Sequence, residues 1–215
     1  MRAGLCILIG YLVGSVPTGM MLVRRLRPGV DLRRVGTGNL GTSNIFRNVG
    51  RGPAVVVGPV QFAQGLFPVL LGRWAGLDDA GLAAVAVATV VGNVWPVWAG
   101  FDGGRGIAVA TGAVAGLGYW GLAVLLAFYA AGLALTEIAI GVLAGFLVLP
   151  AVELFAAGSA AAVAALAMLA VVLLRRLAGA HADLASGRDR AAVLAGRLLR
   201  DQRPGRPLVG RSPDV

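Results

Sequence analysis

Apolar residues in this chain come in long unbroken blocks, neither alternating as in a half-buried strand nor recurring as one stripe of a surface helix. The blocks cover 3–23, 53–72, 79–99, 106–119, 120–135, 138–154 and 157–174. Crossing a hydrocarbon core of about 30 Å takes roughly 20 residues of helix, so the pattern predicts an all-α integral membrane protein of about seven transmembrane helices. Gly116-Leu-Gly118 and Leu149-Pro150 are the strongest breaks inside the later blocks. The first block continues to Val23 with no small-residue cleavage site standing out, and reads as a retained membrane helix rather than a leader.

Charge orients the blocks. Segment 24–52 carries Arg24, Arg25, Arg27, Arg33, Arg34, Arg47 and Arg51, and the stretch after Leu174 is also rich in arginine. The turn near 73–79 sets Arg73 against Asp78 and Asp79. The positive-inside rule places 24–52, loop 100–105 and the tail in the cytoplasm and the N-terminus outside, which an odd number of spans satisfies. The expected organisation is a polytopic membrane domain over 1–176 and a basic cytoplasmic tail over 177–215. Within that tail 188–200 is predicted to form an amphipathic helix with Val193, Leu194, Leu198 and Leu199 on its apolar side. Beyond Asp201 the Pro, Gly and Arg content predicts disorder.

Composition narrows the chemistry. Apolar residues make up 58% of the 215 and charged ones 13%, against roughly 25% charged in soluble domains. Between Arg105 and Arg175 the charged residues are Glu137 and Glu153, both expected at interfaces. The net charge of +9 comes entirely from arginine, since the chain contains no lysine. That excludes a Schiff-base lysine and a P-loop, and it leaves guanidinium forks, which suit phosphate. In a membrane chain the basicity points to topology and lipid headgroups, not to nucleic acid. Cys6 and His181 are the single residues of their kinds, so neither a disulfide nor a metal centre is expected.

Two loops carry the candidate chemistry. Residues 31–47, Asp-Leu-Arg-Arg-Val-Gly-Thr-Gly-Asn-Leu-Gly-Thr-Ser-Asn-Ile-Phe-Arg, interleave Gly36, Gly38 and Gly41 with Thr37, Asn39, Ser43 and Asn44. Glycines let successive N–H groups turn inward on an anion, amides and hydroxyls add donors, and Arg33 and Arg47 add charge. Residues 92–106 run Gly-Asn-Val-Trp-Pro-Val-Trp-Ala-Gly-Phe-Asp-Gly-Gly-Arg-Gly. Gly103, Gly104, Arg105 and Gly106 open the next helix, where free N–H groups favour an anion, and Trp95 and Trp98 supply an interfacial anchor. Ser15, Pro17 and Thr18 interrupt the first span, and Ser15 is expected to face the cytoplasmic side.

These residues, in this order, resemble the bacterial membrane glycerol-3-phosphate acyltransferases that use acyl-phosphate as donor, the PlsY family. The family's Gly-Ser-x-Pro-Thr-Gly element stands at 14–19, its long Gly/Asn loop at 31–47, and its Gly-His-x-x-Pro-x-Phe and Gly-Gly-Lys-Gly elements are echoed at 92–109. The resemblance implies seven spans, a cytoplasmic active site in the plasma membrane and transfer of an acyl chain to the 1-position of glycerol 3-phosphate, giving lysophosphatidic acid. It implies no cofactor, metal or acyl-enzyme; membrane lipids surround the chain. Carried over by position, Ser15, Arg33, Asn39 and Arg105 are expected to act in the reaction. Thr37, Gly38, Gly41, Ser43, Asn44, Arg47, Asn93, Gly103, Gly104 and Gly106 are expected to bind substrate.

The chain departs from that pattern at several positions. The family's His is Asn93, its Lys before the paired glycines is Asp102, its loop Lys is Arg105, and an Asp and Lys in the second span are Gln61 and Gln64. The C-terminal His-x-x-Asn and Gly-x-Glu pattern is absent, with no Glu after Glu153. A non-catalytic relative that binds a phosphate-bearing lipid therefore stays open beside the acyltransferase reading, as does a small transporter. The nearly non-polar spans over 106–174 argue against the transporter.

Overall fold

The computed structural model describes residues 1–199 apart from 37, 136, 179, 186 and 188, and apart from the side chains of His181 and Ala182. The expectations on Thr37, on the His181 side chain and on the stretch beyond Asp201 therefore lie outside the described residues.

Those residues form helices throughout, from α1 (Arg2–Ser15) and α2 (Thr18–Leu26) through the short α3 (Thr42–Asn48) to α4 (Arg51–Trp74) and α5 (Asp79–Val94). A 3₁₀ turn at Val97–Ala99 follows, then α6 (Ile107–Leu117), α7 (Tyr119–Ala134), α8 (Ile138–Ala156), α9 (Ser159–Leu177), α10 (Ala180–Ala185) and α11 (Arg190–Leu198). Each predicted apolar block has a helical counterpart. Five are long and apolar enough to cross a membrane, α1 and α2 counting together as one, and α6 and α7 are shorter.

The shortness of α6 has a local cause. Its 11 residues rise only about 16 Å, because the chain ahead of it, Gly103 to Gly106, is buried loop. Gly106 starts the helix at φ +75°, a left-handed geometry suited to glycine. At the far end Arg73 donates to the carbonyls of Gly116 (2.8 Å) and Leu117 (2.6 Å), satisfying acceptors the helix leaves open.

In a bilayer the helices gain little from excluding water and hold together through close packing of small residues. α5 packs on α1, α4, α6 and α9, and Val85, Ala86, Val90 and Val94 lie in the main core. A Cβ built on Gly65 of α4 would stand 1.8 Å from the Val109 carbonyl oxygen, and one on Gly112 of α6 would stand 1.9 Å from the Phe62 carbonyl oxygen. The two helices thus meet backbone to backbone. Overpacking costs about 1–3 kcal/mol, so Gly112→Ala is expected to lower the unfolding temperature in detergent, measured by scanning fluorimetry, with Gly4→Ala, where a Cβ meets open space, as the unaffected control.

Glu153 lies in the last turn of α8, at the span end expected, and is buried: its carboxylate lies over Gly121 in the first turn of α7, where an added Cβ would be 1.9 Å from Oε1. The positive end of the α7 dipole favours a negative group there. The basic tail packs back onto the bundle, with α10 and α11 against each other and α11 against α9. Arg197 holds Asp183 through Nε at 2.9 Å and the Ala178 carbonyl at 2.6 Å. Arg176 reaches the carbonyls of Leu198 and Ala139.

Candidate active site

The polar loop between α2 and α4 has a small core of its own. Met20, Val23, Leu32, Leu40, Ile45, Ala54, Val57 and Ala99 form an apolar cluster beneath it. On this base Asn44, fully buried on α3, organises the loop: its amide donates to the carbonyls of Leu32 (3.3 Å), Val35 (3.2 Å) and Asn39 (2.9 Å). Its Oδ1 accepts from Asn48 Nδ2 at 2.9 Å. Three carbonyls are drawn to one side chain, and the loop closes around it. Gly36 and Gly38 take positive φ values of 53° and 68°. A Cβ at Gly36 would stand 2.5 Å from Asn44 Oδ1, so that position needs glycine twice over. Asn39 folds over the turn with Oδ1 accepting from the Gly41 N–H at 3.0 Å.

The break after α1 comes from Pro17, which has no N–H to continue the helix. Gln64 of α4 adds side-chain bonds to this break. Its Nε2 donates to the carbonyls of Val13 (2.9 Å) and Val16 (3.0 Å), and its Oε1 accepts from Thr18 Oγ1 at 3.1 Å. One turn earlier Gln61 Oε1 accepts from Thr42 Oγ1 at 3.3 Å. The two glutamines share a helix face at i and i+3, and they tie the first break and α3 to the same helix by neutral hydrogen bonds. Ser15 lies fully buried at that break, with Oγ donating to the Tyr11 carbonyl at 2.7 Å. Gln64→Ala would remove two hydrogen bonds that tie the break to α4, worth about 0.5–1.5 kcal/mol each, while the Val13 and Val16 carbonyls keep the N–H groups of Val16 and Thr18; it is expected to lower both the unfolding temperature and the turnover rate.

The second loop closes on the first. Gly103 N–H donates to the Val94 carbonyl and Gly104 N–H to the Asn93 carbonyl, both at 3.2 Å. A Cβ at Gly104 would lie 3.2 Å from Asn39 Oδ1 and 3.2 Å from Asn93 Oδ1, so this glycine is where the two loops touch. Asn93 Nδ2 reaches the Gly14 carbonyl at 3.5 Å. Together the segments line a small recess bounded by Ser15, Pro17, Gly19, Leu40, Gln61, Asn93, Pro96, Gly103 and Gly104.

Among the residues expected from the sequence, Ser15, Asn93, Gly103 and Gly104 line the recess, and Asn39 and Gly41 stand against Gly104. Arg105 and Gly106 follow, both buried, as does Gly38 in the first loop. Arg33 crosses between the loops: Nη2 donates to the Ala99 carbonyl at 2.6 Å, and Nε lies 3.6 Å from Asp102 Oδ2. Ser43 and Arg47 are exposed on α3. Asn44 is beneath the loop with its amide engaged as described. Three residues of the site carry no expectation from sequence. Gln61 and Gln64 read there only as departures from a family pattern, and Arg175 at the end of α9 read only as a topology signal. Arg175 donates to Asp102, to the Gly103 carbonyl at 2.8 Å and to the Gly104 carbonyl at 3.3 Å.

A recess lined by Ser15, Gln61, Asn93 and the glycines 19, 103 and 104, with Arg33 and Arg105 in the adjoining loops, fits an oxyanion-bearing ligand. The model of the family described as "Glycerol-3-phosphate acyltransferase" matches residues 4–185. The chain belongs to the glycerol-3-phosphate acyltransferase family. A member from Synechococcus sp. (strain CC9902) is 36% identical over 173 residues, 80% of this chain and 86% of the relative. The Rubrobacter xylanophilus member is 47% identical over 108 residues, 50% of this chain; that alignment spans about half the relative's length, 53%. Among solved structures the fold is similar to PlsY, an integral membrane glycerol 3-phosphate acyltransferase. Its glycerol 3-phosphate form superposes with a TM-score of 0.75 at 27% identity, covering 88% of this chain and 95% of PlsY. Its lysophosphatidic acid form gives 0.73 at 25% identity over the same shares. The chain is thus an all-helical integral membrane protein with several spans.

Proposed function

We propose that this chain transfers an acyl group from acyl-phosphate to the 1-hydroxyl of glycerol 3-phosphate, yielding lysophosphatidic acid for phospholipid synthesis. Membership of the family gives the acceptor and the product. The donor and the position of transfer are our reading. The observation that carries it is the convergence of both glycine loops at Gly104, with Asn39 and Asn93 on either side, because the reaction brings two phosphates together. The chain is placed in the bacterial plasma membrane with seven spans over 1–176, N-terminus outside, and the recess at the cytoplasmic face. The basic segment 177–215 lies on that same side.

Chemically, the glycerol oxygen attacks the acyl carbonyl carbon, a C–O bond forms, the acyl–phosphate C–O bond breaks, and inorganic phosphate leaves. The proton from the hydroxyl passes to a phosphate oxygen, which removes the need for an imidazole at the position of Asn93. The protein contributes position and charge. Arg105 and the first N–H groups of α6 hold one phosphate, and Asn39 and the 36–41 turn hold the other. Arg33 offsets their charge, and Ser15 orients the acceptor. Asn44 acts through the loop it folds.

The test is purified chain in detergent with palmitoyl-phosphate and glycerol 3-phosphate, alongside palmitoyl-coenzyme A as a competing donor class. Lysophosphatidate from the acyl-phosphate alone is the expected outcome. Product from the thioester and none from acyl-phosphate would reassign the donor. Binding of both substrates without product would favour the non-catalytic relative.

A further inference from the structure

Arg175 sits in the last turn of α9, some seventy residues from the loop it holds, and its side chain is only 11% exposed. It contacts three groups in a row: the Asp102 carboxylate, the Gly103 carbonyl and the Gly104 carbonyl. A trans peptide is planar, with C=O and N–H pointing in opposite directions. Holding the Gly103 carbonyl therefore turns the Gly104 N–H the other way, and that N–H is found on the Asn93 carbonyl at 3.2 Å. Holding the Gly104 carbonyl likewise turns the Arg105 N–H away from α9. One guanidinium fixes two consecutive peptide planes of a glycine pair that has no side chains to fix itself. Its counter-ion Asp102 also faces Arg33 of the first loop across 3.6 Å, so the same contact set registers both loops against α9.

Building on the acyl-transfer reading, we propose that Arg175 is a positioning residue that, with Asp102, holds the 103–106 loop in the shape that receives glycerol 3-phosphate. The prediction concerns substrate affinity before chemistry. Full-length chain carrying Arg175→Ala is expected to bind glycerol 3-phosphate at least about tenfold more weakly, about 1.4 kcal/mol by the standard conversion, and to show that loss in KM rather than kcat. Binding is read without turnover, from the fluorescence of Trp95 and Trp98 beside the loop. Arg175→Lys should recover part of the affinity, because an ammonium reaches one carbonyl and the carboxylate but lacks the fork. Asp102→Asn, which keeps an acceptor, should lose less than Arg175→Ala. Affinity and KM within twofold of the unmodified chain in Arg175→Ala would overturn the proposal, as would a fall in kcat and unfolding temperature at constant KM. Should Arg175→Ala fail to fold, unchanged affinity in both Arg175→Lys and Asp102→Asn overturns it. If the unmodified chain binds glycerol 3-phosphate yet makes no product, acyl transfer fails while the affinity series still decides the role of Arg175.

Discussion

Arg105→Ala is expected to reduce lysophosphatidate formation by about 10²- to 10³-fold, the range seen when one preorganised donor to a developing oxyanion is removed, while Arg105→Lys retains activity within about an order of magnitude. Arg105 is buried, between a glycine pair that meets Asn39 and Asn93 and the left-handed Gly106 that starts α6. A cation there acts in a medium of low effective dielectric, where each charge counts for more than in water. Both substrates carry phosphate, so a cation held beside glycerol 3-phosphate also offsets the negative charge that gathers on the neighbouring phosphate as the acyl–oxygen bond breaks. Lysine supplies the same charge with a different shape, whereas alanine supplies neither. The measurement is kcat with both substrates saturating. If Arg105→Ala keeps more than a tenth of the rate, the charge at this position does not serve the reaction. If Arg105→Lys is as inactive as alanine, the fork geometry matters more than the charge.

The limits of the sequence reading follow from what each interaction depends on. Long apolar blocks report directly on the bilayer, and all seven appear as helices. The two glycine loops are legible because a tight backbone turn with polar donors needs glycine and short polar side chains close together in the chain. Local patterns could not show who holds those loops. Gln64 binds carbonyls about fifty residues away and Arg175 binds carbonyls about seventy residues away, and a glutamine in an apolar helix or an arginine after one has many ordinary explanations. The position of Glu153 at a span end is legible from the chain; its burial is not, because that depends on the missing side chain of Gly121 on another helix. Asn44 was visible as a polar loop residue and was assigned to the ligand, although its amide faces three carbonyls of its own loop.

That geometry makes Asn44→Asp the most damaging conservative substitution expected in the chain. The replacement keeps size and shape but exchanges two N–H donors, now shared among the carbonyls of Leu32, Val35 and Asn39, for oxygens that donate nothing when ionised. The Val35 carbonyl keeps the Gly38 N–H at 2.9 Å, but the loss of donors at the Leu32 and Asn39 carbonyls costs about 1–3 kcal/mol each, and an ionised carboxylate fully buried among carbonyl oxygens adds a desolvation and repulsion penalty. The turn that carries Gly36, Gly38 and Asn39 then has no centre to close around. Asn39 can no longer be held against Gly104, and the recess opens. The expected result is loss of at least about 100-fold in activity, with a lower unfolding temperature in detergent. Asn44→Ala is expected to be less severe, since it loses the same bonds without burying a charge. Ser43→Ala, one residue away on the exposed face of α3, should leave stability unchanged. An Asn44→Asp chain with native unfolding temperature and rate would mean that the loop holds its shape through its apolar base of Leu32, Leu40 and Ile45 alone. The anion-binding turn would then be a property of the hydrophobic cluster rather than of the asparagine at its centre.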